Sequence, residues 1–115
     1  MSELTIGRAQ DEGVAVVDVD GDLDVAAVER VDAALADALG GGTPVVVDLV
    51  DVSFIDSTGM RAMIEARRRS RVLGVPMVCV CPNNAAVWRL LELTGTTGFF
   101  DVEETRAEAV ATARE

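Results

Sequence analysis

The sequence predicts an α/β protein, one mixed β-sheet packed against about four α-helices. Three observations lead there. Short runs rich in valine alternate with longer segments whose apolar residues recur every three or four positions, the marks of strands and helices respectively. Glycine and proline clusters punctuate these segments at Gly40-Gly41-Gly42, Gly74-Val75-Pro76 and Pro82-Asn83-Asn84. The first two strands are joined by a turn, whereas a helix separates each later pair. The first strand is therefore antiparallel to its neighbour and the later strands are parallel.

In chain order, Leu4 to Ala9 reads as a short strand with Leu4 and Ile6 on one face. Gln10-Asp11-Glu12-Gly13 is a turn cluster leading to a hairpin with Val14 to Asp20. That second strand alternates, Val17 and Val19 on one face, Asp18 and Asp20 on the other. Gly21-Asp22-Leu23-Asp24 breaks it, and Asp24 is the expected cap of a helix from Val25 to Leu39. Val28, Val31, Leu35 and Leu39 make the apolar stripe of that helix. Thr43-Pro44 leads to an apolar strand, Val45 to Val50, and a second helix runs from Thr58 to Leu73. Met77 to Cys81 is a further strand. After the turn at Pro82-Asn83-Asn84 a third helix spans Ala85 to Leu93, with Val87, Leu90 and Leu91 facing the core and Trp88 half-buried beside them. Phe99 to Val102 is the last strand, and Glu103 to Arg114 an amphipathic terminal helix. The order is β-β-α-β-α-β-α-β-α within a single domain, residues 1–115. If neighbouring strands follow chain order, right-handed crossovers place every helix on one face of the sheet. Asp18, Asp20 and Asp48 then mark a second face that stays partly wet.

Composition narrows the function. With 20 acidic and 10 basic residues the net charge is −10, the reverse of what clustered contacts to nucleic acid phosphates need. No apolar run approaches the roughly 20 residues of a membrane span. The N-terminus lacks the layout of a secretory signal, so a cytoplasmic protein is expected. Histidine is absent, which removes both the Ser-His nucleophile pair and imidazole metal ligands. Cys79 and Cys81, two apart in a strand, share a face; they are expected as buried reduced thiols, since a structural zinc needs four ligands. Asp22, Asp24, Asp51 and Asp56 are expected near one another beyond the strand ends, where paired carboxylates can bind Mg²⁺ or share proton transfer. No phosphate loop or activating base accompanies them. A non-enzymatic protein without cofactor or metal is expected.

The informative stretch is Phe54-Ile55-Asp56-Ser57-Thr58-Gly59, a strand-to-helix junction with three oxygen-bearing side chains in a row. Two readings fit it. These residues cap a helix, or Ser57 is also a phosphorylation site, because a phosphate at a helix start meets unpaired N–H groups and the positive end of a dipole. Gly59 leaves that approach unobstructed. Met60, Arg61, Ile64 and Arg68 follow at helical steps and share one side, which either docks a partner or leaves Met60 and Ile64 in the core with Arg61 solvated; Gly59, Met63, Ala66, Ser70 and Leu73 form the side facing the sheet. Arg67-Arg68-Arg69 and Arg71 are read as a solvated helix end with cations set against the dipole.

Gly21-Asp22-Leu23-Asp24, the run Val45 to Met60 and Trp88 to Gly95 resemble, in order and spacing, the STAS domains of bacterial anti-sigma factor antagonists. The resemblance covers essentially the whole chain and implies the STAS fold. It implies that an anti-sigma factor with serine/threonine kinase activity phosphorylates Ser57, and that the unphosphorylated form binds this partner and frees a sigma factor of a stress-response or sporulation pathway. It further implies that a PP2C-type phosphatase restores the serine and that Asp24 takes part in recognition or phosphorylation; Asp56 and Gly59 are expected to support the site, and Asp22, Met60, Arg61, Ile64 and Arg68 to contact the partner. Three departures stand out. Thr58 occupies the place of a frequent second serine and is a second acceptor, Arg61 replaces a commonly small residue, and Thr96-Thr97-Gly98 replaces a more apolar stretch. The chain is expected as a monomer or weak homodimer. The alternatives are a STAS subunit of a stress-sensing or lipid-transport complex and, in another class, a small nucleotide-binding protein.

Overall fold

A computed structural model describes residues 3–82 and 86–115. Among these residues, six strands form one sheet: β1 (Thr5–Asp11), β2 (Val14–Leu23), β3 (Val45–Asp48), β4 (Val52–Ile55), β5 (Met77–Val80) and β6 (Asp101–Glu103). The helices are α1 (Val28–Gly40), α2 (Ser57–Leu73), α3 (Ala86–Thr94) and α4 (Arg106–Ala113). β1 is antiparallel to β2 and every other pairing is parallel, in the order β1-β2-β3-β5-β6 with β4 beside the far end of β2. This is the expected mixed sheet, with one strand more than the sequence indicated. Among the described residues no helix is long and apolar enough to cross a membrane. The expected turn residues Asn83 and Asn84, and Ala85 at the start of the third helix, lie outside the described residues.

The hairpin closes on Glu12 and Gly13, with φ of 52° and 82°. Two successive left-handed residues give a turn whose twist matches that of the strands it joins.

Gly21 does not break β2, which runs on through it to Leu23. Its φ is 109°, the register shifts between Gly21 and Asp22, and an added Cβ would lie 2.5 Å from the Glu3 carbonyl oxygen. Ala15–Asp18 of β2 pairs with β3 and Gly21–Leu23 with β4, where Val52 faces Gly21 and Phe54 faces Asp22, so the extra residue at the shift is Ser53 of β4. β4 escaped the sequence reading because Val52 and Ile55 are buried while Ser53 and Phe54 face out, a pattern without the period of two.

The main core lies between the sheet and α1, α2 and α3, and includes Val17, Val19, Val45, Val47, Met77 and Cys79. The expectation that every helix shares this face fails for α4. This helix follows the last strand, so no crossover constrains it, and it packs Ala109, Val110 and Ala113 on the opposite face against Val14, Val16, Val46, Val78 and Val80. The second face is therefore wet only in part: α4 covers its apolar residues and Asp48 is buried, whereas Asp18 is partly exposed. Asp18 and Asp48 lie side by side on β2 and β3, and the Arg106 guanidinium reaches both, donating to Asp48 Oδ2 at 3.1 and 3.0 Å and to Asp18 Oδ1. Burial by itself would lower the Arg106 pKa; its bonds to Asp48 and Asp18 outweigh this and raise it. Asp20 remains exposed.

Several boundaries move. α1 begins at Val28 and β6 at Asp101, Phe99 belonging instead to a short 3-10 turn, Thr97–Phe99. α4 starts after Thr105, whose hydroxyl accepts the Glu108 N–H at 3.2 Å, so the capping residue sets the start rather than the onset of apolar periodicity. The basic end of α2 is not merely solvated. Arg67 donates to the Phe99 carbonyl at 3.2 Å, to Ser70 Oγ at 3.1 Å and to Asp101 at 3.4 Å, and Arg71 lies 4.8 Å from the Phe99 ring centre. Arg68 and Arg69 are exposed as expected. Leu73 is half exposed rather than packed on the sheet, because Gly74 takes a left-handed conformation (φ 69°) and turns the chain at that point.

Candidate functional site

β4 ends at Ile55 and α2 begins at Ser57, so Asp56 alone spans the junction. Its backbone is extended, its Oδ1 accepts the Gly59 N–H at 2.9 Å, and its own N–H donates to the Leu23 carbonyl at 3.3 Å. Asp56 is thus the cap, tied to the end of β2, and α2 starts one residue earlier than expected. With capping assigned to Asp56, Ser57 Oγ is left over. Ser57 is exposed and makes no hydrogen bond to any described residue; Thr58 is half-buried and likewise unpaired among them.

Gly59 has a different role from the one the sequence suggested. It is buried, and a Cβ there would lie 2.4 Å from the Leu23 carbonyl oxygen and 2.8 Å from Leu23 Cγ. Its missing side chain lets α2 approach the end of β2; it does not open a path to Ser57.

A groove lies between α2 and α3. Ser57, Met60, Arg61, Ile64, Glu65, Arg68, Leu90 and Thr94 line it. The structure thus brings together Ser57 and the four α2 residues read from the sequence as a docking side. Met60 is nonetheless a core residue, 5% exposed, with only an edge at the groove, because it also packs under α3. Ile64 is half-buried, Arg61 and Arg68 are exposed, and Arg68 donates to Glu65 at 3.1 Å. Glu65, Leu90 and Thr94 were not anticipated. Leu90 sits at the margin of the α3 apolar stripe, and that marginal position was the one available signal.

A family model for the STAS domain matches residues 6–109. The chain belongs to the STAS domain family. A comparison with curated protein sequences finds no match. Among solved structures, the domain is similar to an anti-sigma factor antagonist from Mycobacterium paratuberculosis, at 24% identity and a TM-score of 0.85, over 98% of this chain and 96% of that one. It is similar to the Thermotoga maritima protein TM1081, at 20% identity and a TM-score of 0.84, over 96% and 95% of the two chains. It also resembles the phosphorylated form of the Bacillus cell fate determinant SpoIIAA, at 19% identity and a TM-score of 0.66, over 94% and 98%. At these identities the likenesses establish the fold.

Two acidic residues of this STAS domain depart from their expected roles. Asp22 is 8% exposed and accepts the Ser53 hydroxyl at 2.8 Å, so it supports the β2–β4 join and shows only an edge to a surface pocket shared with Asp24 and Arg30. Asp24 Oδ1 accepts the Ala26 N–H at 3.1 Å and its carbonyl accepts the Ala27 N–H at 3.0 Å. It closes a turn ahead of α1 instead of capping the helix, whose first flanking residue, Ala27, has no capping side chain. Asp51 is exposed, with its carbonyl accepting the Gly21 N–H at 3.1 Å. Among the described residues no three acidic or thiol side chains gather as a metal site. Two large apolar side chains are exposed, Phe54 in β4 at 50% and Val25, two residues beyond the end of β2, at 71%.

Cys79 and Cys81 are free and buried on the core face as expected. Burial raises the Cys79 pKa to about 12, with Cys81 adding to the effect. Burial raises that of Cys81 to about 11, partly offset by the Trp88 backbone amide. Neither is a nucleophile near neutrality.

Proposed function

We propose that this STAS domain is a non-enzymatic, cytoplasmic anti-sigma factor antagonist switched by phosphorylation of Ser57. The unphosphorylated form binds an anti-sigma factor with serine/threonine kinase activity and releases the sigma factor; phosphorylation abolishes that binding, and a PP2C-type phosphatase resets it. The observation that carries this reading is the Ser57 hydroxyl, exposed and unpaired among the described residues because Asp56 has taken the cap. Antagonist and phosphorylated neighbours of the same fold support the role.

In the modification, the bond from ATP's γ-phosphorus to its bridging oxygen breaks and ADP leaves. A bond from Ser57 Oγ to phosphorus forms, and the hydroxyl proton passes to a base on the kinase. About −1.5 to −2 charges are added beside the groove that Ile64 and Leu90 make partly apolar. A partner surface fitted to a neutral hydroxyl must then desolvate a phosphate, which is unfavourable without a matching cation. Thr58, half-buried, is the poorer acceptor.

The test is phosphosite mapping after co-expression with kinase-type anti-sigma factors from the same genome. Labelling confined to Ser57, lost in Ser57→Ala, is the expected result. Labelling that persists in Ser57→Ala, or tight nucleotide binding by the isolated domain, would overturn the proposal.

A further inference from the structure

Arg61 has a role in the switch that follows from its position. We propose that a phosphate on Ser57 is bonded in cis by Arg61, so that phosphorylation also withdraws this guanidinium from the docking groove. The inference rests on the reading of Ser57 as the phosphorylated residue and names how that site is regulated.

Ser57 and Arg61 are four residues apart within α2 and line the same groove. Side chains at this spacing are neighbours on a helix, and the pairing is stronger when the anion lies N-terminal to the cation, as here. The two guanidiniums of the groove are not equivalent. Arg68 is paired with Glu65 at 3.1 Å, whereas Arg61 forms no ion pair or hydrogen bond with any described residue. Glu65 is also four residues from Arg61, but in the less favourable order and already engaged by Arg68. A phosphate monoester presents three acceptor oxygens, and a guanidinium fork can meet two of them at once.

The charged residues lining the groove are Arg61, Glu65 and Arg68, with Asp56 adjoining Ser57 in the chain and Asp24 following Leu23, whose carbonyl accepts the Asp56 N–H; Leu90 and Thr94, which α3 brings to the groove, carry no charge. In the unmodified domain Arg61 is free to meet a carboxylate of the partner. In the modified one it folds back on the phosphate, and the groove loses a cation as it gains an anion. Arg61 is a positioning residue here and takes no part in phosphoryl transfer.

The test uses the full chain with phosphoserine incorporated genetically at position 57, so that it needs no kinase. The second phosphate pKa, ordinarily about 6, is read by ³¹P NMR titration in the parent and in Arg61→Gln and Arg68→Gln backgrounds. We expect the parent value to lie about 0.2–0.4 pH unit below that of Arg61→Gln, and the Arg68→Gln value to match the parent. Equal values in parent and Arg61→Gln overturn the inference, as does an equal change in Arg68→Gln, which would mean a diffuse field. If no kinase labels Ser57, the proposed function fails while the pairing, measured on encoded phosphoserine, stands or falls separately.

Discussion

Gly59→Ala sets helix propensity against packing at the junction, and the geometry fixes which wins. Alanine in a helix interior is favoured over glycine by roughly 1 kcal/mol. Here the new methyl would sit 2.4 Å from the Leu23 carbonyl oxygen and 2.8 Å from Leu23 Cγ, with Ile55 Cγ1 at 3.1 Å. The nearest obstacle is backbone of β2, which cannot rotate away as a side chain would. Relief requires the first turn of α2 to lift off the sheet, which strains the Asp56 cap at Gly59 N–H and the Asp56 N–H bond to Leu23. Overpacking of about 1–3 kcal/mol and partial loss of a cap of about 1 kcal/mol oppose the propensity gain. The net expectation is destabilisation by about 1–3 kcal/mol, or roughly 4 °C in Tm for each kcal/mol in a domain of this size. Urea unfolding followed by far-UV circular dichroism measures it. Gly40→Ala at the end of α1 is the control: nothing lies within 4 Å of an added Cβ there, so propensity acts alone and a gain of about 0.5–1 kcal/mol is expected. A Gly59→Ala protein as stable as the parent would refute the close-approach argument and return Gly59 to a role at the Ser57 surface.

Asp56→Ala should lose about 1 kcal/mol with the Gly59 N–H cap, while Ser57→Ala should stay within about 0.5 kcal/mol, as exposed substitutions usually do; thermal melts of the two variants separate capping from the modifiable hydroxyl. Arg106→Met leaves Asp18 and Asp48 adjacent without their shared cation. A loss of about 1–2 kcal/mol is expected, reduced from the value for buried charged bonds because Arg106 is 41% exposed, and a second change, Asp18→Asn, should recover part of it in urea titrations. The chain has no lysine, tyrosine or histidine, so between pH 8.5 and 10.5 the thiols are its main titrating side chains. Burial raises the pKa of Cys79 to about 12 and that of Cys81 to about 11, from 9.0. The unfolded chain therefore releases these protons first. Stability is full below pH 9 and falls as pH rises toward the folded values, by at most about 1.4 kcal/mol per pH unit for each thiol. A constant urea midpoint from pH 8.5 to 10.5 would contradict this, and the Cys79→Ala, Cys81→Ala double variant should flatten the profile.

The order of the other strands and helices was legible in the sequence because most of them carry their own periodicity and most breaks a glycine or proline. The Asp-Ser-Thr-Gly junction was legible for the same reason: capping chemistry is local, decided by side chains within three residues of one another. Which of three candidate oxygens does the capping was not. That depended on the Asp56 N–H finding the Leu23 carbonyl, a contact between segments more than thirty positions apart. The same distance hid β4, which joins the far end of β2 with Ser53 out of register; it also hid the burial of Asp22, the packing role of Gly59 and the seat of α4 over Asp18 and Asp48. Local pattern states which face of an element is apolar, but only the assembled layers decide what covers that face. A helix after the last strand obeys no crossover rule, and a glycine's missing side chain acquires its meaning from whatever backbone stands opposite.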